Sequence, residues 1–255
     1  MDRTEWVFYR LKHLTVGSVA AGTRSFRITR DEYFVTFRVA KSPAGITCEA
    51  ASSASLPPSH ALKPPQEAAL RDLGFAPPND SKTFTLHKAE KTDAVLHDLA
   101  AVALKVMGQI FTPEADSTWE FEFYHEVGRS ARALQWIGVS FLNELLAEGG
   151  TSGLLTIESG RVYGQFTFAP DKNLLYCELV SNQFLPKDVQ LSPEKLSLLP
   201  ARGFQVPAEP GNFNRTYLLT DRLVAENAVL DVLSLFTDAY GLDPIPHFKV
   251  VLTTN

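Results

Sequence analysis

The residues of this chain that could carry out chemistry are scattered. Its six histidines, at 13, 60, 87, 97, 125 and 247, show no His-Glu-x-x-His spacing, and no Cys-x-x-Cys occurs, so no metal site and no cofactor are expected. His125 and Glu126 stand side by side after a strand-like run and have the types that a general acid and base require. Glu120 and Glu122 alternate with Trp119, Phe121 and Phe123; they could form a carboxylate pair, but the alternation favours a solvated strand face. The glycines at 149, 150 and 153 suggest a phosphate loop, but there a helical run leads into a strand, the reverse of the order that aims helix amides at an anion. No Gly-x-Ser-x-Gly elbow offers a nucleophile. No catalytic residue is therefore assigned, and binding is the default expectation.

What positions these residues is a duplication. Cys48, Pro57, Gly74 and Phe84 recur 129 residues later as Cys177, Pro186, Gly203 and Phe213, and Phe37, Glu49, Leu70, Phe75 and Pro78 recur in the same register as Phe166, Glu178, Leu199, Phe204 and Pro207. A period of 129 residues is too long for a solenoid unit of roughly 20–50, so two homologous domains are expected, residues 1–127 and 128–255, each burying its own core.

Bulk properties narrow the partners. Hydrophobic content of 45% and charged content of 21% are those of an ordinary globular protein. A net charge of −5 without a Lys/Arg cluster argues against nucleic acid, and no apolar run approaches the roughly 18 residues a spanning helix needs. Leu14 to Gly22 is mildly apolar but follows Asp2 and Glu5 as well as basic residues, so no signal peptide is expected, and the triplets Asn79-Asp80-Ser81 and Asn214-Arg215-Thr216 have no meaning as glycosylation sites without one. The two cysteines sit at equivalent alternating positions, each facing the apolar side of a strand, which fits a reduced, cytoplasmic setting.

Each half reads as helix, three strands, helix, strand, helix, strand. Helices are expected at about Thr4–Leu14 and Ser130–Glu148, the latter with Leu134, Ile137, Phe141 and Leu145 on one face and ended by the loop from Glu148 to Gly153. Three-stranded meanders follow, Ser25–Thr29, Tyr33–Ala40 and Gly45–Ala50, matched by Leu154–Glu158, Val162–Ala169 and Leu174–Val180. Short helices near Pro64 and Pro193 end at Gly74 and Gly203, strands centre on Phe84 and Phe213, and longer helices at about Thr92–Val106 and Ala225–Tyr240 stop at Gly108 and Gly241. Alternating strands close each half. The fold class is α+β, an antiparallel sheet packed on helices in each of two tandem repeats.

Leu70 to Pro78, reading Leu-Arg-Asp-Leu-Gly-Phe-Ala-Pro-Pro, then Phe84, a long helix and Gly108, resemble the bacterial TY-Chap group, which is similar to YbjN proteins and type III secretion chaperones. Repeat two carries the pattern more fully, from Leu199 through Gly203-Phe204 and Pro207 to Asn212-Phe213. The family often has tryptophan after the glycine, where Phe75 and Phe204 stand here, and repeat one has Thr83-Phe84 for the Asn-aromatic pair. The resemblance implies a unit that binds a peptide or partner protein without catalysis. Because secretion chaperones commonly dimerise, two copies in one chain look like a covalent pseudo-dimer, as a monomer or within a homodimer.

A sheet sealed by helices on one face must leave the other wet or in use. In repeat two the outward positions Tyr163, Gln165, Leu174, Tyr176 and Val180 are more aromatic and apolar than a plain wet face, whereas repeat one offers Phe34 among polar residues. Two readings stand: repeat two presents a client platform, or its aromatics pack against the other repeat. For the recurring Gly74-Phe75 and Gly203-Phe204, a structural role is expected, glycine ending a helix and phenylalanine turning into the core. An immunity or regulatory protein holding a folded partner such as a toxin, and an enzyme with a site between the repeats, are the rival functions.

Overall fold

The computed structural model describes residues 2–15, 24–39, 44–79, 81–114, 116–125, 130–147, 153–207 and 210–254. Ala40, Asp80, Glu126, the expected loop from 148 to 152 and the apolar segment at 16–22 lie outside the described residues. The chain divides into two compact units, 1–125 and 126–254.

Unit one begins with α1 (Arg3–Thr15), whose Trp6, Val7, Leu11 and Leu14 are buried. Strands β1 (Arg24–Arg30), β2 (Tyr33–Val39) and β3 (Ile46–Ala51) form the meander, followed by α2 (Pro64–Asp72), β4 (Thr83–Lys88), α3 (Asp93–Lys105) and β5 (Trp119–His125). The sheet order is β4-β3-β2-β1-β5, antiparallel throughout. Register aligns Phe123, Phe26, Phe37, Cys48 and Leu86 in one cross-strand row, all pointing to the helices because side chains alternate along each strand.

Unit two repeats this plan with α4 (Ala131–Ala147), β6 (Leu154–Ser159), β7 (Val162–Ala169), β8 (Leu174–Leu179), α5 (Pro193–Leu196), α6 (Leu198–Ala201), β9 (Phe213–Leu218), α7 (Arg222–Asp238) and β10 (Phe248–Thr254). Its order is β9-β8-β7-β6-β10, and the matching row runs Leu252, Leu155, Phe166, Cys177, Arg215. The units are thus α+β, as expected.

The Gly-Phe pairs end their helices in the same way. Gly74 has φ +88 and Gly203 φ +77, a backbone region open to glycine at no steric cost. Gly74 N donates to Arg71 O at 2.8 Å and Phe75 N to Leu70 O at 3.1 Å; Gly203 N and Phe204 N donate likewise to Pro200 O and Leu199 O. This 5→2 and 6→1 pairing is the Schellman arrangement, and it drives Phe75 and Phe204, each 2% exposed, into the core.

Three expectations on helix ends need correction. Gly108 does not stop α3, which continues as a wider turn from Val106 to Ile110 with Phe111 N bonded to Val106 O at 2.9 Å. Val106, Met107, Ile110 and Phe111 are all buried, so stopping at Gly108 would expose Ile110 and Phe111. The left-handed Thr112 and Pro113 make the real stop. α7 begins at Arg222, earlier than Ala225, because Asp221 accepts from Leu223 N at 2.8 Å and Val224 N at 3.2 Å. The short helix of repeat two is broken into α5 and α6, since Pro200 has no amide hydrogen to give to the carbonyl one turn back.

Candidate client-binding face

On the outer side of the second sheet, register builds a surface in rows. Glu158 stands beside Tyr163 and Lys249, Thr156 beside Gln165 and Val251, and Gln165 beside Glu178. Further along, Thr167, Tyr176 and Thr216 form a row, and Ala169, Leu174 and Leu218 another. Tyr176 is 38% exposed and Leu218 58%, while Tyr163, Gln165 and Leu174 are half-buried. The β8/β9 end of the face is therefore an apolar patch of Tyr176, Leu174 and Leu218 bordered by threonines.

The opposite end is tied by polar contacts. Asn212 Nδ2 donates to Tyr163 Oη and to Glu178 Oε2, both at 3.3 Å, and Lys249 Nζ lies 3.1 Å from Glu158 Oε1. Val180 does not share this face. It is fully buried: β8 ends at Leu179, the alternation ends with it, and Val180 N bonds back to Tyr163 O while its carbonyl accepts from Tyr240 Oη. Burial raises the pKa of that Tyr240 phenol, so it donates as a neutral hydroxyl.

Repeat one builds its outer face differently. Arg38 Nε meets Glu49 Oε2 at 3.0 Å, Thr47 Oγ1 meets His87 Nδ1 at 3.1 Å, and Thr36 is buried. Half-buried Phe34 has the Arg27 guanidinium 4.0 Å from its ring centre, so a cation already occupies its face.

The other chemistry-bearing residues do not converge. His97 Nε2 pairs with Glu5 Oε1 at 2.9 Å, His60 Nδ1 with Ser59 Oγ at 3.0 Å, and burial beside Arg10 and Lys12 pushes His13 down to about 4. Cys48 and Cys177 are buried, and burial raises both thiols far above the range of a reactive thiolate. Glu120 and Glu122 are half-buried neighbours of Thr29 and Arg27 on the outer face. Among the described residues no group of three or more His, Cys, Asp or Glu is placed to hold a metal.

Sequence reasoning missed one cluster. Asp231 Oδ2 accepts from Arg215 Nη1 at 2.7 Å and Tyr217 Oη at 3.2 Å, and its Oδ1 lies 3.3 Å from Arg202 Nη1. Arg202 also reaches Asp238 at 3.3 Å, and Arg215 Nη1 donates to Arg202 O. One repeat earlier, Leu73, Leu86 and Val102 occupy the positions of Arg202, Arg215 and Asp231. Reading the repeats in register shows this exchange. The ring of donors holds Asp231 in place.

The chain matches the family TY-Chap3, described as T3SS (YopN, CesT) and YbjN peptide-binding chaperone 3, over residues 9–117 and again over 139–249. Together the two matches span most of its length. The chain belongs to the TY-Chap3 family. Comparison with curated proteins gives no match. Both TY-Chap3 copies carry the Gly-Phe helix end, and no described helix is long and apolar enough to cross a membrane. The copies differ in what they expose. Of nine exposed large hydrophobic residues described, Tyr9 alone lies in the first copy; Trp136, Tyr176, Phe184, Val189, Leu198, Val206, Leu218 and Leu223 lie in the second. Positions 129 residues before Tyr176, Phe184, Leu218 and Leu223 hold Thr47, Ser55, Ala89 and Ala94.

Proposed function

We propose that this chain is a non-enzymatic, cytoplasmic chaperone or adaptor of two domains, 1–127 and 128–255, whose second copy holds a peptide or protein client. The client lies on the outer sheet face, over Tyr176 and Leu174, with Leu218 extending the patch and Tyr163 and Gln165 beside it. Membership of a peptide-binding chaperone family supports the class of function. The observation that supports the location is the patch of Tyr176, Leu174 and Leu218 on that face, which has Thr47 and Ala89 in place of Tyr176 and Leu218 one repeat earlier. The first copy, with its outer-face arginines already paired or stacked, serves as scaffold.

Affinity capture from the native host with intact wild-type bait, beside a Tyr163→Ser/Tyr176→Ser double variant, tests the proposal. Loss of the captured client with unchanged thermal stability supports it. Loss of stability instead assigns both tyrosines to packing, and a captured partner that is a compact globular protein transfers the role to an immunity or regulatory protein.

A further inference from the structure

We propose that Glu178 selects the client: on the outer face of repeat two its carboxylate receives a lysine or arginine of a client segment whose nearby apolar side chain seats on Tyr176, Leu174 and Leu218. This inference rests on the sheet-face reading and adds the chemistry of the occupant.

The two repeats keep the carboxylate and differ in what answers it. In repeat one, Glu49 of β3 is half-buried and meets Arg38 of β2, Nε to Oε2 at 3.0 Å. One repeat later the carboxylate stands as Glu178 on β8, but the position of Arg38 holds Thr167. Glu178 is exposed, and among the described residues it lies in no ion pair.

Register gives its neighbours on the face. Gln165 of β7 and Asn214 of β9 stand directly beside it, Tyr163, Thr167 and Thr216 lie diagonally, and Tyr176 is two residues along its own strand. None of these carries a positive charge. Arg215 pairs in register with Cys177 and so belongs to the helix side, where it holds Asp231. Lys249 shares the outer face but is committed to Glu158 at 3.1 Å, three strands away on β10.

What Glu178 does touch is neutral. Asn212 Nδ2 lies 3.3 Å from Oε2 and divides itself between that oxygen and Tyr163 Oη, while Asn212 Oδ1 accepts from Ser181 N. A carboxylate has about four acceptor sites, so this contact orients the group and leaves its charge unanswered. Thr83 stands at the position of Asn212 in repeat one, where the arginine does the orienting.

The spacing specifies the client further. Two residues of β8 separate Tyr176 from Glu178, about 7 Å, and an extended segment sets its own side chains i and i+2 equally far apart. An apolar residue two positions from a lysine or arginine therefore matches the patch and the carboxylate together. A glutamate in place of the cation is repelled.

Three labelled peptides test the assignment on the intact chain. They share one short sequence with leucines at alternate positions among serines, and differ at a single position, two residues from a leucine, that holds lysine, glutamine or glutamate. In fluorescence anisotropy the wild type is expected to bind the lysine peptide about three- to fivefold more tightly than the glutamine one, the strength of an exposed ion pair, with the glutamate peptide weakest and the lysine advantage fading as salt rises. Glu178→Gln should bind the lysine and glutamine peptides equally, and Glu178→Lys should prefer the glutamate peptide. Glu178 is exposed, so neither change opens the core. Glu90→Gln, which removes an exposed carboxylate from repeat one, should behave as the wild type. Equal binding of the three peptides by the wild type, a lysine preference that survives in Glu178→Gln, or one lost equally in Glu90→Gln overturns the assignment and leaves the sheet-face reading standing. Binding of every peptide unchanged in Tyr176→Ser, or no binding of any by the wild type, overturns the sheet-face reading and this inference with it.

Discussion

Phe204 shows what a recurring residue is for. It is fixed by the helix end before it and buried at 2% exposure, so Phe204→Ala should cost about 3–5 kcal/mol in denaturant unfolding, with Phe75→Ala close to it. A variant of full stability that lost its partner would contradict the structural role. His13 gives a pH prediction with a definite sign. Folded, it stays neutral down to about 4, whereas unfolded it takes a proton near 6.5, so between these values the unfolded chain binds the extra proton and stability declines as pH falls. In paired unfolding curves His13→Gln should lose less stability than the wild type across that window; parallel curves would contradict it. At this scale the sequence was informative wherever a residue sits inside a regular element. Phe75, Phe204 and both cysteines are where alternation and helix-stop chemistry place them. Val180 is not, because period-two reading carries one residue too far once a strand has ended.

Elements were legible where apolar periodicity and end signals agree. The strands of both meanders start and stop within about one residue of expectation, since each has one buried face and a turn residue at its end, Asp31 at φ 53 in one copy and Gly160 at φ +62 in the other. The end of α3 was not legible, because a glycine outside the left-handed region is no stop and the burial of Ile110 and Phe111 decided the matter. The ionic ring around Asp231 is equally an element-scale feature, joining β9, the end of α6 and α7. Arg215→Leu alone leaves a half-buried carboxylate short of its nearest cation and should destabilise the chain by about 1–2 kcal/mol, whereas Arg215→Leu with Asp231→Val, the pair found in repeat one, should recover most of the loss. A double-mutant cycle by chemical denaturation reads the coupling; strictly additive losses would mean that the ring does not act as a unit.

For the whole molecule, the duplication was plain from a constant spacing, and the two TY-Chap3 matches follow it. Less visible was the divergence between copies, because exposure depends on packing that a sequence reports only through comparison with its own other half. Leu218 in place of Ala89 and Tyr176 in place of Thr47 are unremarkable alone; together with Phe184 in place of Ser55 and Leu223 in place of Ala94 they expose large apolar side chains in one copy where the other has small or polar ones. The most direct test of that asymmetry is quantitative client capture by the intact chain bearing Tyr176→Ser/Leu218→Ser in one bait and Thr47→Ala/His87→Ala, on the matching face of repeat one, in another, each checked for an unchanged melting temperature. The account predicts that capture falls at least severalfold for the first bait and stays at the wild-type level for the second. Equal capture by both, or loss confined to the repeat-one bait, would contradict it.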